Sequence, residues 1–222
     1  MNRFRTLPLL AAITASAACA RLPGVSSTGA SIPVGVALST NRVDHVVAVG
    51  GNAEGAQGTT VGFAVSVAPR PWIELSGRSA SGRLTSENAR ANRDIAEVEA
   101  GLSFLVLPWL AATVGAQARR YTGALASQRW LALRTGAEAR LDLANGARGV
   151  IRASVLPKVT VDGLASPSLA YGGGTGIELS RKRLFASLLY SVDRFDFPAS
   201  VEGKRVEQLS TLMLQAGWRF GR

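Results

Sequence analysis

One cysteine and one histidine are all that this 222-residue chain offers to thiol or metal chemistry. A lone Cys19 excludes an internal disulfide. With a lone His45 it supplies no cluster of metal ligands, so no metal and no other cofactor is expected. Charge is scarce as well: Asp, Glu, Lys and Arg together make up 18% of the residues, below the quarter usual for globular proteins. Long apolar runs are missing. After the first twenty residues no stretch is long and apolar enough to cross a bilayer as a helix. Mean hydropathy is nevertheless +0.17. A chain that is apolar overall without apolar runs must distribute its hydrophobicity, and here it does so by alternation.

The alternation is clearest near the C-terminus. Leu212, Leu214, Ala216, Trp218 and Phe220 share one parity, and Glu207, Thr211, Gln215 and Arg219 the other. A period of two places the sets on opposite faces of a β-strand. The pattern recurs along the chain and predicts about ten strands, with eight to twelve possible. The first falls in Ile32–Leu38 and Val43–Gly50, read either as one bent strand or as a pre-strand and a strand. The rest span about 58–68, 72–82, 94–106, 110–121, 128–142, 148–161, 167–180, 183–196 and 205–220. Short links, among them Asn145-Gly146, alternate with longer ones such as 51–56 and 83–93. Asn-Gly is a hairpin signal because both residues tolerate positive φ.

The N-terminus reads as an export leader. Arg3 and Arg5 precede the apolar stretch Leu7–Ala18, which is too short for a membrane helix. Residues 1–18 are expected to be removed, 19–31 to form a linker rich in Gly, Ser and Ala, and 32–222 to form the folded domain. Ser16-Ala17-Ala18-Cys19 resembles a bacterial lipobox, which would make Cys19 an acylation site. The alternative is ordinary cleavage at Ala17, Ala18 or Ala20. The formal net charge is +10 and falls to about +8 once Arg3 and Arg5 leave. A basic balance often marks nucleic-acid binding, but export and the dispersal of the arginines argue against that partner.

Sorting the faces gives one apolar parity, including Val61, Phe63, Val98, Leu102, Leu133, Ile151, Val155, Val159 and Leu188. The other carries charge and glycine. Its candidate charge network is Glu74, Arg78, Glu97, Glu99, Arg119, Arg134, Glu138, Arg140, Arg152, Lys158, Glu178, Glu207 and Arg219. A soluble lipocalin-like calyx would turn the apolar parity inward, and a membrane barrel would turn it outward. Trp72, Trp109, Trp218 and Phe220 gather at the short-turn end, where an aromatic girdle belongs. The small residues between the charges suit a crowded lumen.

On the leader, the hairpin rhythm and the Leu212–Phe220 strand, residues from about 43 to 222 resemble the bacterial outer-membrane β-barrel class. The resemblance implies an all-β, up-and-down antiparallel transmembrane barrel in the outer membrane. It also implies insertion by the barrel-assembly machinery and contact with outer-membrane lipid, including lipopolysaccharide. No motif identifies a family within the class.

Chemistry is thin. His45 lies beside Asp44 without a serine in a recognisable motif, so no enzyme is expected and a lipid-modifying role is the least favoured. Gly172-Gly173-Gly174 sits inside an alternating strand with no helix after it, which excludes a phosphate loop. It reads instead as a strand that lets facing side chains fill the lumen. The charged lumen is then either an ion-pair plug or a narrow pore or pocket for small solutes, with a basic wall suited to anions. A rival of another class is an adhesion or lipopolysaccharide-binding barrel using loop residues Arg83, Arg90, Arg93, Lys204 and Arg205 against phosphates.

Overall fold

The computed structural model describes residues 32–86, 92–123, 127–201 and 203–221. The leader, Cys19, the linker up to Ser31 and Arg90 lie outside the described residues.

Ten strands follow one another around the wall. They are β1 (Val34–Val49), β2 (Asn52–Arg70), β3 (Ile73–Thr85), β4 (Arg93–Leu107), β5 (Leu110–Gly123), β6 (Ser127–Asp142), β7 (Ala147–Val161), β8 (Leu169–Arg181), β9 (Leu184–Asp196) and β10 (Arg205–Phe220). Each pairs antiparallel with its sequence neighbours, and β1 closes on β10 from Val34 opposite Phe220 to Val49 opposite Arg205. Closure leaves no strand edge unpaired, as a backbone in lipid requires. The strands have 13 to 19 residues, more than the roughly 9–11 a tilted crossing needs, so their ends project past the hydrocarbon.

The first strand is single. Its alternation looks interrupted because Thr40, Arg42 and Asp44 are polar residues on the exposed outer face. The β1–β2 link is shorter than its sequence indicates. Gly50 and Gly51 both adopt positive φ, 56° and 91°, so two residues close the hairpin and β2 begins at Asn52. Asn145 and Gly146 likewise adopt positive φ, 53° and 79°, within the four-residue link between β6 and β7.

Burial decides the orientation of the wall. Leu38 is 74% exposed and Val61 64%, whereas Glu138 is 5% and Glu207 1% exposed. Leu133, Ile151 and Leu188 also lie on the exposed outer face. Water would reverse this arrangement; lipid demands it. The exposed aromatics Trp72, Trp109, Trp218 and Phe220 all sit at the short-turn end, together with the start of β1 and the end of β10.

One strand departs from the simple parity. On β7, Val155 pairs with Thr135 but Lys158 pairs with Leu133, so the register shifts by one residue. Pro157 lies in that shift, where a missing N–H is tolerated. Beyond it the faces exchange. Val159 turns into the lumen and is buried, and Lys158 turns outward and is exposed. Val159 on the lipid face and Lys158 in the lumen network are therefore both corrected by the bulge.

Candidate functional site

The inward side chains form two layers. Nearer the loop end is an apolar layer to which every strand contributes: Val43, Ala56, Leu84, Ile95, Tyr121, Trp130 and Ala132, Leu156, Val159 and Val161, Ala170, Phe195, and Leu209. Phe197, just past β9, completes it, and Leu164 of the β7–β8 loop packs against it. Trp130 is its centrepiece. Its ring meets Phe195 edge-on at 5.0 Å and Phe197 at 6.0 Å, and its indole N–H donates to Gln128 at 3.0 Å. Cations cover the aromatics: Arg93 stands 5.8 Å from the Tyr121 ring and Arg205 5.7 Å from the Phe197 ring.

The second layer is ionic and crosses the lumen. Arg78 donates from Nε to Glu99 at 2.6 Å and from Nη2 to Glu97 at 2.9 Å. The other oxygen of Glu97 accepts from Arg119 Nε at 2.8 Å. Arg119 also faces Asp193 at 3.7 Å, and Arg134 donates to Asp193 at 2.7 Å. Strands β5 and β6 are not neighbours of β9, so these bonds tie one side of the wall to the other. Arg134 further donates to the Ser154 hydroxyl at 3.0 Å. Toward the short-turn end, Arg140 bridges Glu138 at 2.5 Å and Glu74 at 3.2 Å, and Arg152 pairs with the second oxygen of Glu138. Arg219 pairs with Glu178 at 2.8 Å and stands 4.5 Å from the Phe185 ring.

Three of the six carboxylates here, Glu97, Glu138 and Asp193, each serve two cations, and Arg78, Arg119 and Arg140 each meet two acids. Such sharing makes buried charge tolerable, because each ion's lost hydration is replaced by fixed partners. Gly172 of β8 makes room for it. A Cβ on Gly172 would collide with the Asp193 carboxylate and lie 3.2 Å from the Arg134 guanidinium.

Lumen positions hold Glu74, Arg78, Glu97, Glu99, Arg119, Arg134, Glu138, Arg140, Arg152, Glu178, Glu207 and Arg219. Lys158 is the exception. Glu207 lies apart from the central chain, 3.1 Å from His45 Nε2 and 2.5 Å from Arg205. His45 is 3% exposed and stacks on Tyr121 at 4.7 Å. Asp193 shares the charged parity of β9, but only barrel closure reveals it as the junction of Arg119 and Arg134.

The ionic side chains line a cavity of about 400 Å³. Its lining runs from Pro33, Arg148 and Arg219 at the short-turn end to Val43, Ile95 and Leu209 in the apolar layer. The lumen is thus a polar vestibule that ends against apolar packing.

No family model matches the chain, and no curated protein matches it. Solved structures do. The outer membrane protease OmpT from Escherichia coli superposes with a TM-score of 0.52 at 11% identity, over 90% of this chain and 99% of that one. The fold is that of a bacterial outer-membrane β-barrel. Two further structures are similar at lower scores. The translocator domain of the autotransporter NalP from Neisseria meningitidis gives 0.47 at 16% identity, over 84% and 88% of the two chains. The COG4313 outer membrane channel from Pseudomonas putida F1 gives 0.47 at 10%, over 89% and 100%. In bacterial outer-membrane barrels the short turns face the periplasm and the longer loops the outside; here the start of β1 and the end of β10 lie with the short turns.

Proposed function

We propose that this small outer-membrane barrel is closed to conduction, and that its function is carried by its body in the membrane and by the periplasmic vestibule. The vestibule is suited to holding a small solute, an anion among the candidates, rather than passing it. One observation carries this reading: the apolar layer drawn from all ten strands. A hydrophobic constriction excludes hydrated ions, because there is nothing in it to replace their water. The cross-lumen ion pairs support the same reading by fixing the guanidiniums that an anion pathway would need free. The reading is non-catalytic. His45 engages Glu207 through Nε2 and is held face-on against Tyr121, which fits a structural role.

Cysteine accessibility tests the reading. Ser76 lines the vestibule, and Ala53 lies beside the outer β1–β2 hairpin. In intact cells a membrane-impermeant maleimide should label Ala53→Cys and leave Ser76→Cys unlabelled. Permeabilising the outer membrane should then expose Ser76→Cys. Labelling of both at similar rates in intact cells would mean an open lumen and end the closed-barrel reading. The protein with Cys19 alone provides the blank.

A further inference from the structure

The outer wall carries a second polar feature, on the side facing lipid. Arg120 on β5 and Arg129 on β6 are direct cross-strand partners, and both are exposed. Opposed side chains stand with their Cβ atoms about 4.5–5.5 Å apart, and like charges so placed repel. Other outward arginines of the loop end have protein partners. Arg83 pairs with Asp94 at 3.2 Å, Arg194 with Asp196 at 3.1 Å, and Arg42 donates to Gln57 at 3.2 Å. Among the described residues no carboxylate lies within ion-pair distance of Arg120, Arg129 or the outward Lys158. The next pair toward the loops is Thr122 opposite Ser127, and Arg120 Nε already donates to the Ser127 hydroxyl at 3.2 Å. Two carboxylates flank the spot: Asp94, opposite Thr122, is taken up by Arg83, and Asp162, whose N–H donates to the Arg129 carbonyl at 3.0 Å, is outside ion-pair distance of either guanidinium. Two guanidiniums and two hydroxyls therefore converge there, and the positive charge exceeds that one unpaired acid.

What lies beneath that spot indicates the kind of anion. Toward the membrane, Ala118 opposes Leu131 and Ala116 opposes Leu133; on the other side they oppose Val98 and Ala100. Leu131, Leu133 and Val98 are about half exposed. The two alanines thus form the floor of an apolar furrow that runs from the arginine pair into the hydrocarbon zone. Lys158 stands beside Leu133, and its flexible stem can lift the ammonium toward the headgroups. Cations above an apolar furrow match an amphiphile with a phosphorylated head and acyl tails.

We propose that the outer face of β5–β7 binds a phosphorylated lipid of the outer leaflet. Arg120 and Arg129 hold a phosphate between them with the hydroxyls of Thr122 and Ser127. Lys158 flanks the headgroup, and an acyl chain lies over Ala116 and Ala118. The bound anion relieves the repulsion that the sequence builds into the arginine pair. This site differs from the loop set Arg83, Arg93, Lys204 and Arg205, whose members face Asp94, Tyr121, Asp196 and Glu207.

Native mass spectrometry of the folded barrel in detergent tests the proposal, with diphosphorylated lipid A and inorganic phosphate as separate probes. Arg120→Gln/Arg129→Gln should retain lipid A about tenfold less well than wild type, the scale of losing charge-assisted hydrogen bonds. Arg42→Gln should retain it fully, and Arg120→Lys/Arg129→Lys better than the glutamine pair. Freed of like-charge repulsion, the lipid-free glutamine variant should melt no lower than wild type, which separates lost binding from lost folding. Equal retention of lipid A by wild type and the glutamine variant would overturn the proposal. So would binding of inorganic phosphate as tight as that of the lipid, since that would make the site one for a free anion.

Discussion

Replacing Glu97 and Glu99 together by glutamine should destabilise the folded barrel more than any other exchange of two polar side chains in the lumen. Glu97 holds Arg78 and Arg119, and Glu99 holds Arg78. The side chain of Arg119 is 4% exposed, so water cannot take over the role of the lost carboxylate, and only Asp193 at 3.7 Å remains to it, while Arg78 loses both its acids. Breaking a buried ion pair from one side typically costs about 3–5 kcal/mol, because the other charge stays buried and unpaired. The loss should appear as a lower midpoint in urea unfolding of the reconstituted protein, with the slope unchanged. A change below about 1 kcal/mol would place these carboxylates in the regime of solvated surface pairs.

Truncating the apolar layer should have a comparable energetic effect and a larger functional one. Trp130→Ala and Phe195→Ala each remove a large ring from packed surroundings, and such deletions cost about 3–5 kcal/mol in well-packed cores. The backbone ladder of ten paired strands does not run through these side chains, so the double variant should still close as a barrel. Its lumen should then lack the edge-on contacts of Trp130 with Phe195 and Phe197. Planar-bilayer recordings of the double variant should show discrete current steps. A folded double variant that carries no current would shift the seal from the apolar layer to the ion pairs.

The wall of this protein is written locally, and the contents of its lumen are not. Period-two alternation over ten or more residues needs no tertiary information, so strand number and apolar face are legible along the chain. The Asn145-Gly146 hairpin and the tryptophans at the short-turn end are equally local. The β7 bulge leaves one trace, Pro157, whose absent N–H argues against an uninterrupted ladder; a strict parity count passes over it and misplaces Lys158 and Val159. The apolar layer is harder to see. Leu84, Ile95, Trp130 and Phe195 stand one per strand in the polar parity, where each looks like a chance interruption. Only closure brings them together. Closure likewise joins Asp193 to Arg119 and Arg134 across the lumen, a relation that no sequence spacing encodes. The Arg120–Arg129 pair depends on the β5–β6 register, which the chain does not display without its turn geometry.

Current through the wild-type protein in a planar bilayer tests the central claim most directly, since a closed lumen and a narrow pore differ in that quantity above all. The apolar layer and the cross-lumen ion pairs predict a flat baseline, without steady steps, at moderate voltage in either polarity. Steady ohmic steps from the unmodified barrel, above all with a preference for anions, would contradict it and make the lumen a basic-walled pore.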